Sequence, residues 1–144
     1  MILDAHNQLS DSQALTATAA STNIIDFGSD RNIGIGEQLA LLVNVEVAAD
    51  FTTGDETYVV AIQADDNASF SSPTTVASFS IIGGTAAGSK FVQLIPADQT
   101  TERYLRLNYT LAGTSPSVTV SAHIIPANNG VDNYVAYADG FTIS

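Results

Sequence analysis

The stretch that decides the fold runs from residue 102 to residue 125 and reads ERYLRLNYTLAGTSPSVTVSAHII. In its first half, every second position is apolar, and these positions are Leu105, Leu107, Tyr109 and Leu111. The second half repeats the pattern with Val118, Val120, Ala122 and Ile124. Because successive side chains of a strand point to opposite faces, each half predicts a strand with one buried face. The intervening AGTSP is typical of a turn, so residues 103–125 predict a β-hairpin.

The same period of two recurs in the part of the chain that precedes this stretch. Shorter alternating segments lie at 23–27, 38–48, 57–64, 76–82 and 90–95. Together they predict seven or eight short strands separated by turn residues, whereas no helical stripe of ten or more residues lies between them. We therefore expect an all-β protein, an antiparallel jelly-roll-like β-sandwich. With 144 residues, the chain is expected to form a single domain.

Three parts are expected within this domain: an N-terminal arm at 1–22, the sandwich at 23–126 and a C-terminal tail or last strand at 127–144. The arm is predicted because it is polar and rich in Ala, with only Leu9 and Leu15 as large apolar anchors. Such an arm could pack on a neighbouring subunit. Leu9 and Leu15 are therefore candidate interface residues.

The tail opens with a turn signal at Asn129 and Gly130 and then concentrates aromatic residues. These are Tyr134, Tyr137 and Phe141. Two interpretations stay open: a last strand that closes the sheet, or an aromatic contact surface for a partner. The three aromatics are accordingly candidate interface residues.

Composition excludes several classes of function. Four Lys plus Arg against fifteen Asp plus Glu make a formal net charge of −11, which opposes binding to nucleic acid or to an anionic membrane. The apolar runs are far shorter than the roughly 20 residues of a membrane span, and the N-terminus lacks a basic signal-peptide region. Since the chain has no Cys, disulfides, thiolate metal sites and a cysteine nucleophile are excluded.

Candidate catalytic groups are sparse. The two imidazoles are His6, in the polar arm, and His123, in a predicted strand, and neither accompanies a G-x-S-x-G nucleophile motif. Gly34 and Gly36 begin a G-x-G, but Leu39 stands where a third glycine would be and a strand follows. We expect no catalytic residues, no cofactor and no enzymatic activity.

Two acidic stretches raise the question of calcium, which prefers oxygen ligands. One contains Asp50, Asp55 and Glu56, and the other contains Asp65 and Asp66. Neither follows the D-x-[DN]-x-[DN]-G calcium loop, and both flank predicted strands. We expect solvated loop tips and no metal site.

Two of the four basic residues, Arg103 and Arg106, lie in one predicted strand. With the leucines inward, Arg106 falls on the outer face beside Tyr104, while Arg103 falls on the inward parity at the start of the strand. Both arginines could pair with Glu102 or another local acid. Alternatively, Tyr104 and Arg106 are interface residues, since Tyr and Arg are favoured anchors of interfaces.

Four segments, in this order and spacing, resemble the Bbp16-like capsid cement (decoration) proteins of tailed bacteriophages. They are ILDAHNQLSDSQALTATAASTNIIDFG, RNIGIGEQLALLVNVEVAAD, ETYVVAIQADDNASFSSPTTVASFSI and ERYLRLNYTLAGTSPSVTVSAHIIP. The resemblance implies a jelly-roll-like domain that forms homo-oligomers, dimers or trimers, on the outer surface of the virion head. It implies the major capsid protein as partner, clamping of neighbouring capsid subunits, and synthesis in the host cytoplasm. No catalytic residues are implied.

A different class of function stays open beside this one. β-Sandwiches often bind sugars, and acidic loops can hold calcium. The alternative is a virion-associated carbohydrate- or receptor-binding β-sandwich module. A loss of thermal stability on adding EDTA, or binding to a glycan, would favour that alternative.

Overall fold

Strands dominate the part of the chain that the computed structural model describes, which is residues 3–30, 38–96 and 101–127. A single 3-10 turn, Ala5–Asn7, precedes the first strand. The nine strands of the described residues are β1 (Gln8–Leu15), β2 (Ala19–Ala20), β3 (Ile25–Asp26), β4 (Leu39–Val47), β5 (Thr57–Asp65), β6 (Thr74–Ile81), β7 (Lys90–Leu94), β8 (Tyr104–Ala112) and β9 (Val118–Pro126).

The strands form two antiparallel sheets that pack face to face. The order in the first sheet is β1-β9-β4-β7, and in the second it is β2-β8-β5-β6. The short β3 pairs with the beginning of β8, and β2 pairs with a later part of the same edge of β8. Taking β2 and β3 as two pieces of one edge strand gives eight strand positions; consecutive strands lie in opposite sheets except β5 and β6, which pair with each other. This is the strand order of a jelly roll, and the predicted all-β, antiparallel jelly-roll-like sandwich is confirmed.

The core lies between the sheets and is built from the predicted inward parities. On β8 the buried side chains are Leu105, Leu107 and Tyr109, and β5 contributes Tyr58 and Val60 from the facing parity of its own pleat. On β9 the inward residues are Val118, Val120, Ala122 and Ile124. The alternation read from the sequence therefore predicts which side chains form the core.

The predicted hairpin at 103–125 is wrong, although both of its strands exist. β8 pairs with β2, β3 and β5 in the second sheet, whereas β9 pairs with β1 and β4 in the first. The turn at 113–117 carries the chain across the core from one sheet to the other. Both strands turn their apolar faces toward the same core, so alternation alone does not distinguish a hairpin from this crossing.

The expected N-terminal arm needs a correction as well, because its central part is strand β1. β1 pairs along β9, and its side chains Leu9 and Leu15 are almost completely buried in the core. Register shifts near Ser10 and Gln13 interrupt the alternation, and Ser12 has a positive φ of 45°. These irregularities hide the strand pattern in the sequence. Leu9 and Leu15 are therefore part of this chain's own core.

A second, smaller apolar cluster lies on the outward parity of the first sheet. Its buried members are Ala40 and Leu42 of β4, Ile125 of β9 and Ala127, which follows β9. Val92 of β7 packs against them. Since Leu41 and Val43 point into the main core, β4 is apolar on both faces. Such a strand reads as a continuous apolar run, which is how residues 39–43 appear in the sequence.

The loops divide between the two ends of the sandwich. One end, called the tip below, carries the β1–β2 turn, the loop at 48–56, the loop at 82–89 and the turn at 113–117. The opposite end carries the β5–β6 loop, the ends of β3 and β7, and the starts of β4 and β8. In sandwiches the binding residues commonly lie on such end loops, since a rigid scaffold positions them.

Candidate functional site

The tip carries three exposed large apolar residues, Val47, Phe51 and Ile82. Their exposed fractions are 58%, 48% and 75%, the three largest among the large apolar side chains of the described residues. All three lie on two neighbouring loops or at the strand end that leads into one of them. Exposed apolar side chains that gather in one place mark interaction surfaces more often than scattered ones do.

Phe51 packs closely against Gly83, and this contact joins the two loops. A Cβ atom placed on Gly83 would lie 2.1 Å from Cδ2 of Phe51, so only glycine leaves room for the ring. The Gly84 N–H donates to the carbonyl of Ala49 over 2.9 Å, and the Ala49 N–H donates to the carbonyl of Thr85 over 3.0 Å. The apolar surface is therefore held in one arrangement before any partner binds, which lowers the entropy cost of binding.

A buried tyrosine of the core anchors the segment that carries Phe51. The Tyr58 hydroxyl donates to the carbonyl of Asp50 over 2.7 Å and accepts the Ser117 N–H over 3.1 Å. The Asp50 N–H in turn donates to the Ser117 carbonyl over 2.9 Å. Burial raises the pKa of Tyr58, so its hydroxyl stays protonated and able to donate at neutral pH. The tip loops are thus tied directly to the core.

Carboxylates of the loop at 48–56 hold that loop together. Glu56 accepts the backbone N–H groups of Thr53 (3.1 Å) and Gly54 (3.0 Å) and a short hydrogen bond from the Thr53 hydroxyl. Asp55 accepts both the N–H and the hydroxyl of Thr114, each over 3.0 Å. The Thr53 hydroxyl is the main cause of a lowered pKa at Glu56, and the Thr114 N–H has that effect on Asp55. Glu56 is buried, which corrects its assignment to a solvated loop tip.

The second acidic stretch has a similar structural role at the opposite end. Asp65 accepts the N–H of Asn67 over 2.9 Å and that of Ser72 over 2.8 Å, and these bonds lower its pKa. Asp65 is buried, so its expected position on a solvated tip is wrong, whereas Asp66 is exposed as expected. A hydrogen bond with Asp66 raises the pKa of Glu102, because ionising both of two adjacent carboxyl groups is unfavourable.

Metal binding finds no support in these two loops. Within residues 3–30, 38–96 and 101–127, no group of three or more His, Asp or Glu side chains is arranged to hold a metal ion. The oxygens of Asp55, Glu56 and Asp65 already accept hydrogen bonds from this chain's own backbone and hydroxyl groups. A calcium ion would have to displace those donors.

Arg106 lies on the outer face of β8, as its parity predicts, and is half-buried. Its Nε donates to Oε1 of Gln63 on the neighbouring β5 over 3.0 Å. Its guanidinium carbon lies 4.3 Å from the centroid of the Phe70 ring, a cation–π distance. Arg106 is therefore engaged within the chain, and the expected pairing with a local acid is replaced by an amide and an aromatic ring.

Arg103 pairs with an acid far along the chain. Its Nε and one terminal nitrogen bind the two carboxylate oxygens of Asp26 at 2.7 and 2.9 Å. The alternative partner, Glu102, is not the one used, because β3 pairs with the start of β8 and brings Asp26 opposite Tyr104. The Arg103 hydrogen bond lowers the pKa of Asp26 to about 2. The guanidinium also lies over the Tyr104 ring, 4.9 Å from its centroid.

The remaining sequence candidates are placed differently. Tyr104 lies on the outer face of β8, half-buried, whereas Tyr134, Tyr137 and Phe141 lie outside the described residues. His123 projects from the outward parity of β9, beside Leu42 of β4, and burial lowers its pKa. None of the helical residues that the structure describes forms a segment long and apolar enough to cross a membrane.

Sequence reasoning missed the tip. In the sequence, Val47 continues the alternation of Leu41, Val43 and Val45, but a register shift after Val45 ends that alternation in the structure. Two signals point to the surface afterwards: an aromatic residue, Phe51, inside an acidic loop, and Ile82 directly before two glycines. Neither signal separates an exposed apolar residue from a buried one without the loop geometry.

Fold and surface together define an all-β jelly-roll domain with a preorganised apolar tip and acidic end loops. Comparison with protein-family models assigns its family: the Bbp16 model matches residues 9–124. This match covers most of the chain, from β1 to β9, and the chain belongs to the Bbp16 family.

The solved structures similar to this chain include two of infectious bursal disease virus. One is the crystal structure of the VP2 subviral particle, with a TM-score of 0.44 and 14% identity over 85% of this chain and 32% of that chain. The other is the structure of the Gx strain, with a TM-score of 0.36 and 14% identity over 84% of this chain and 31% of that chain. This chain spans about a third of the length of each. The search of curated proteins found no match.

Proposed function

We propose that this protein is a capsid cement protein that binds the outer surface of a tailed-phage head and clamps neighbouring major capsid proteins. The observation that carries the proposal is the Bbp16 family match over residues 9–124. The same four segments that resemble phage cement proteins lie within or across this range. The protein acts through binding and without catalysis, and it is made in the host cytoplasm before it joins the virion.

The physical character of the domain supports this role. A cement must be rigid and must stay off the packaged genome, and a formal charge of −11 repels nucleic acid. The tip is fixed by hydrogen bonds to the core, so a partner meets a preformed surface. As a homodimer or homotrimer, the protein would touch several capsid subunits at once. Linked contacts of this kind strengthen overall binding by about 10² to 10⁴ through effective concentration.

Clamping follows from linkage. A protein that binds the assembled shell, and not dispersed subunits, stabilises the shell by mass action. The stabilisation grows with the free concentration of the cement relative to its dissociation constant. Internal DNA pressure then has to break cement contacts as well as capsid contacts.

The test compares heads assembled with and without this protein. Heads that lack it should open at lower temperature or release DNA sooner, and adding the purified protein back should restore the difference. Equal thermal stability of both preparations would contradict clamping. Binding to a glycan, together with a loss of thermal stability in EDTA, would point instead to the carbohydrate- or receptor-binding module.

A further inference from the structure

We propose that the tip, formed by Val47, Phe51 and Ile82, is the surface that contacts the capsid shell, and that its counterpart is an apolar socket bordered by Lys or Arg side chains. This inference rests on the proposed function and adds to it the contact surface and the chemistry of the partner. Two independent observations carry it: the exposure of the apolar residues and the sign of the charges around them.

The apolar part has the character of a binding anchor. Ile82 is three-quarters exposed, and Phe51 is about half exposed although its ring already packs on Gly83. Both lie on loops whose backbones are hydrogen-bonded to each other. Because the loops need not be ordered on binding, less of the free energy gained by burying these side chains is lost to conformational entropy.

The charges around the tip are almost all negative. Glu46 precedes Val47, Asp50 precedes Phe51, and Asp55 lies in the same loop, while Lys90 is the cation at the start of β7. The pKa of Glu46 is lowered by hydrogen bonds from the Ser12 and Ser121 hydroxyls, so this carboxylate is ionised at neutral pH. A partner that covers the tip therefore has to present basic groups around its apolar centre.

Charge also argues against a second copy of this chain as the occupant. A symmetric contact between two tips would place Asp50 and Asp55 of one copy near the same residues of the other, and like charges in contact are destabilising. Like charges therefore disfavour tip-to-tip pairing of two copies, and we assign the capsid protein as the partner that covers the tip.

The opposite end of the sandwich provides a matched control. Its exposed apolar residues include Ile24, which is 43% exposed and precedes the short strand β3. Among the residues that the structure describes there, Arg103 and Arg106 are bound within the chain. An Ile24→Ser variant removes a comparable apolar side chain from a surface that the proposal leaves free.

The experiment measures binding of purified protein to heads that lack it, by cosedimentation over a range of concentrations. The double variant Phe51→Ser/Ile82→Ser should bind at least about tenfold more weakly than the natural sequence, since central anchors dominate interface energies. Ile24→Ser should bind within about twofold. Raising the salt concentration should weaken binding of the natural sequence to the heads, because salt screens the charged rim.

Three outcomes separate the alternatives. If the natural sequence fails to bind the heads, the proposed function fails. If it binds and the double variant binds equally well, the tip is not the contact surface. If the double variant instead loses its oligomeric state by light scattering, the tip joins copies of the chain and the inference is overturned. Should the double variant misfold by circular dichroism, Ile82→Glu tests the same surface, because that side chain is mostly solvent-exposed.

Discussion

Replacing Leu9 by Ala tests whether the N-terminal segment is an arm or a structural strand. Leu9 is fully buried, and β1 presents it to the core between the sheets. Truncating a buried Leu to Ala costs about 2 to 5 kcal/mol, from lost transfer free energy and the cavity left behind. We expect a loss of about 3 kcal/mol in the free energy of unfolding, since β1 is an edge strand and can relax partly.

That loss translates into a large shift of the melting temperature. An unfolding entropy of about 2.1 cal/mol/K per residue gives roughly 0.3 kcal/mol/K for a chain of 144 residues. A loss of about 3 kcal/mol then lowers Tm by about 10 °C. An arm that merely reaches a neighbour would leave the Tm of the domain almost unchanged.

The assay is thermal unfolding followed by far-ultraviolet circular dichroism, because the chain has no Trp to report on its core. The control is Ala14→Ser, an exposed position on the same strand, which should stay within about 0.5 kcal/mol of the natural sequence. Protein concentrations must be equal, since oligomers make Tm depend on concentration. If Leu9→Ala melts together with Ala14→Ser, the assignment of β1 to the core is refuted.

Three further predictions concern hydrogen bonds, acid stability and a turn. Tyr109→Phe removes the hydroxyl that lies 2.7 Å from Ser10 Oγ across the core, and should cost about 1 kcal/mol in urea unfolding. Asp26→Asn should make stability depend less on pH between about pH 4 and pH 2. The Arg103 hydrogen bond lowers the pKa of Asp26 to about 2 in the folded protein. The stabilisation by the Asp26 carboxylate is therefore present above the unfolded-state pKa and is lost as the pH falls through the folded-state pKa. Gly113→Ala should cost more than about 1 kcal/mol, because φ is +101° and the new Cβ would lie 2.5 Å from a backbone carbonyl oxygen.

Each of these three has a comparison that isolates its cause. Tyr104→Phe removes a hydroxyl from the outer face and should change stability by less than the variant in the core. Arg103→Gln should reproduce the effect of Asp26→Asn. An acid-unfolding profile like that of the natural sequence in either variant would contradict the Arg103–Asp26 ion pair. Gly28→Ala keeps a positive φ of 80° but meets nothing within 4 Å, so an equal cost there would show that the collision at the turn is unimportant.

The strands could be predicted from the sequence because burial on one face of a pleat leaves a period of two. This holds for β5, β8 and β9, whose inward residues match the alternation. It fails for β1, where bulges near Ser10 and Gln13 break the period and leave two leucines that resemble isolated anchors. Which strands pair is a separate matter, since Gly113 and Pro116 are equally typical of a hairpin turn and of a crossing between sheets.

The surface was less predictable, for a physical reason. The buried Ile81 and the exposed Ile82 are adjacent residues of the same type, and their different exposure depends on where β6 ends. Parity did place Tyr104 and Arg106 on the outer face of β8, but Arg106 is bound to Gln63 within the chain. Residue type and parity predict which side a residue faces, whereas the partners it finds come from strands distant in the sequence.

One consequence joins the stability of the tip to its binding. The carboxylate of Asp55 contributes to the negative rim, and Asp55 and the buried Glu56 together hold the loop that carries Phe51. Their lowered pKa values mean that acid removes both contributions below the pH at which ordinary carboxylates titrate. Salt screens the rim and leaves the hydrogen bonds of the buried Glu56 largely intact. Salt should therefore weaken binding to the shell without lowering Tm, while acid should lower both, and this difference separates the electrostatic part of the contact from the structural part.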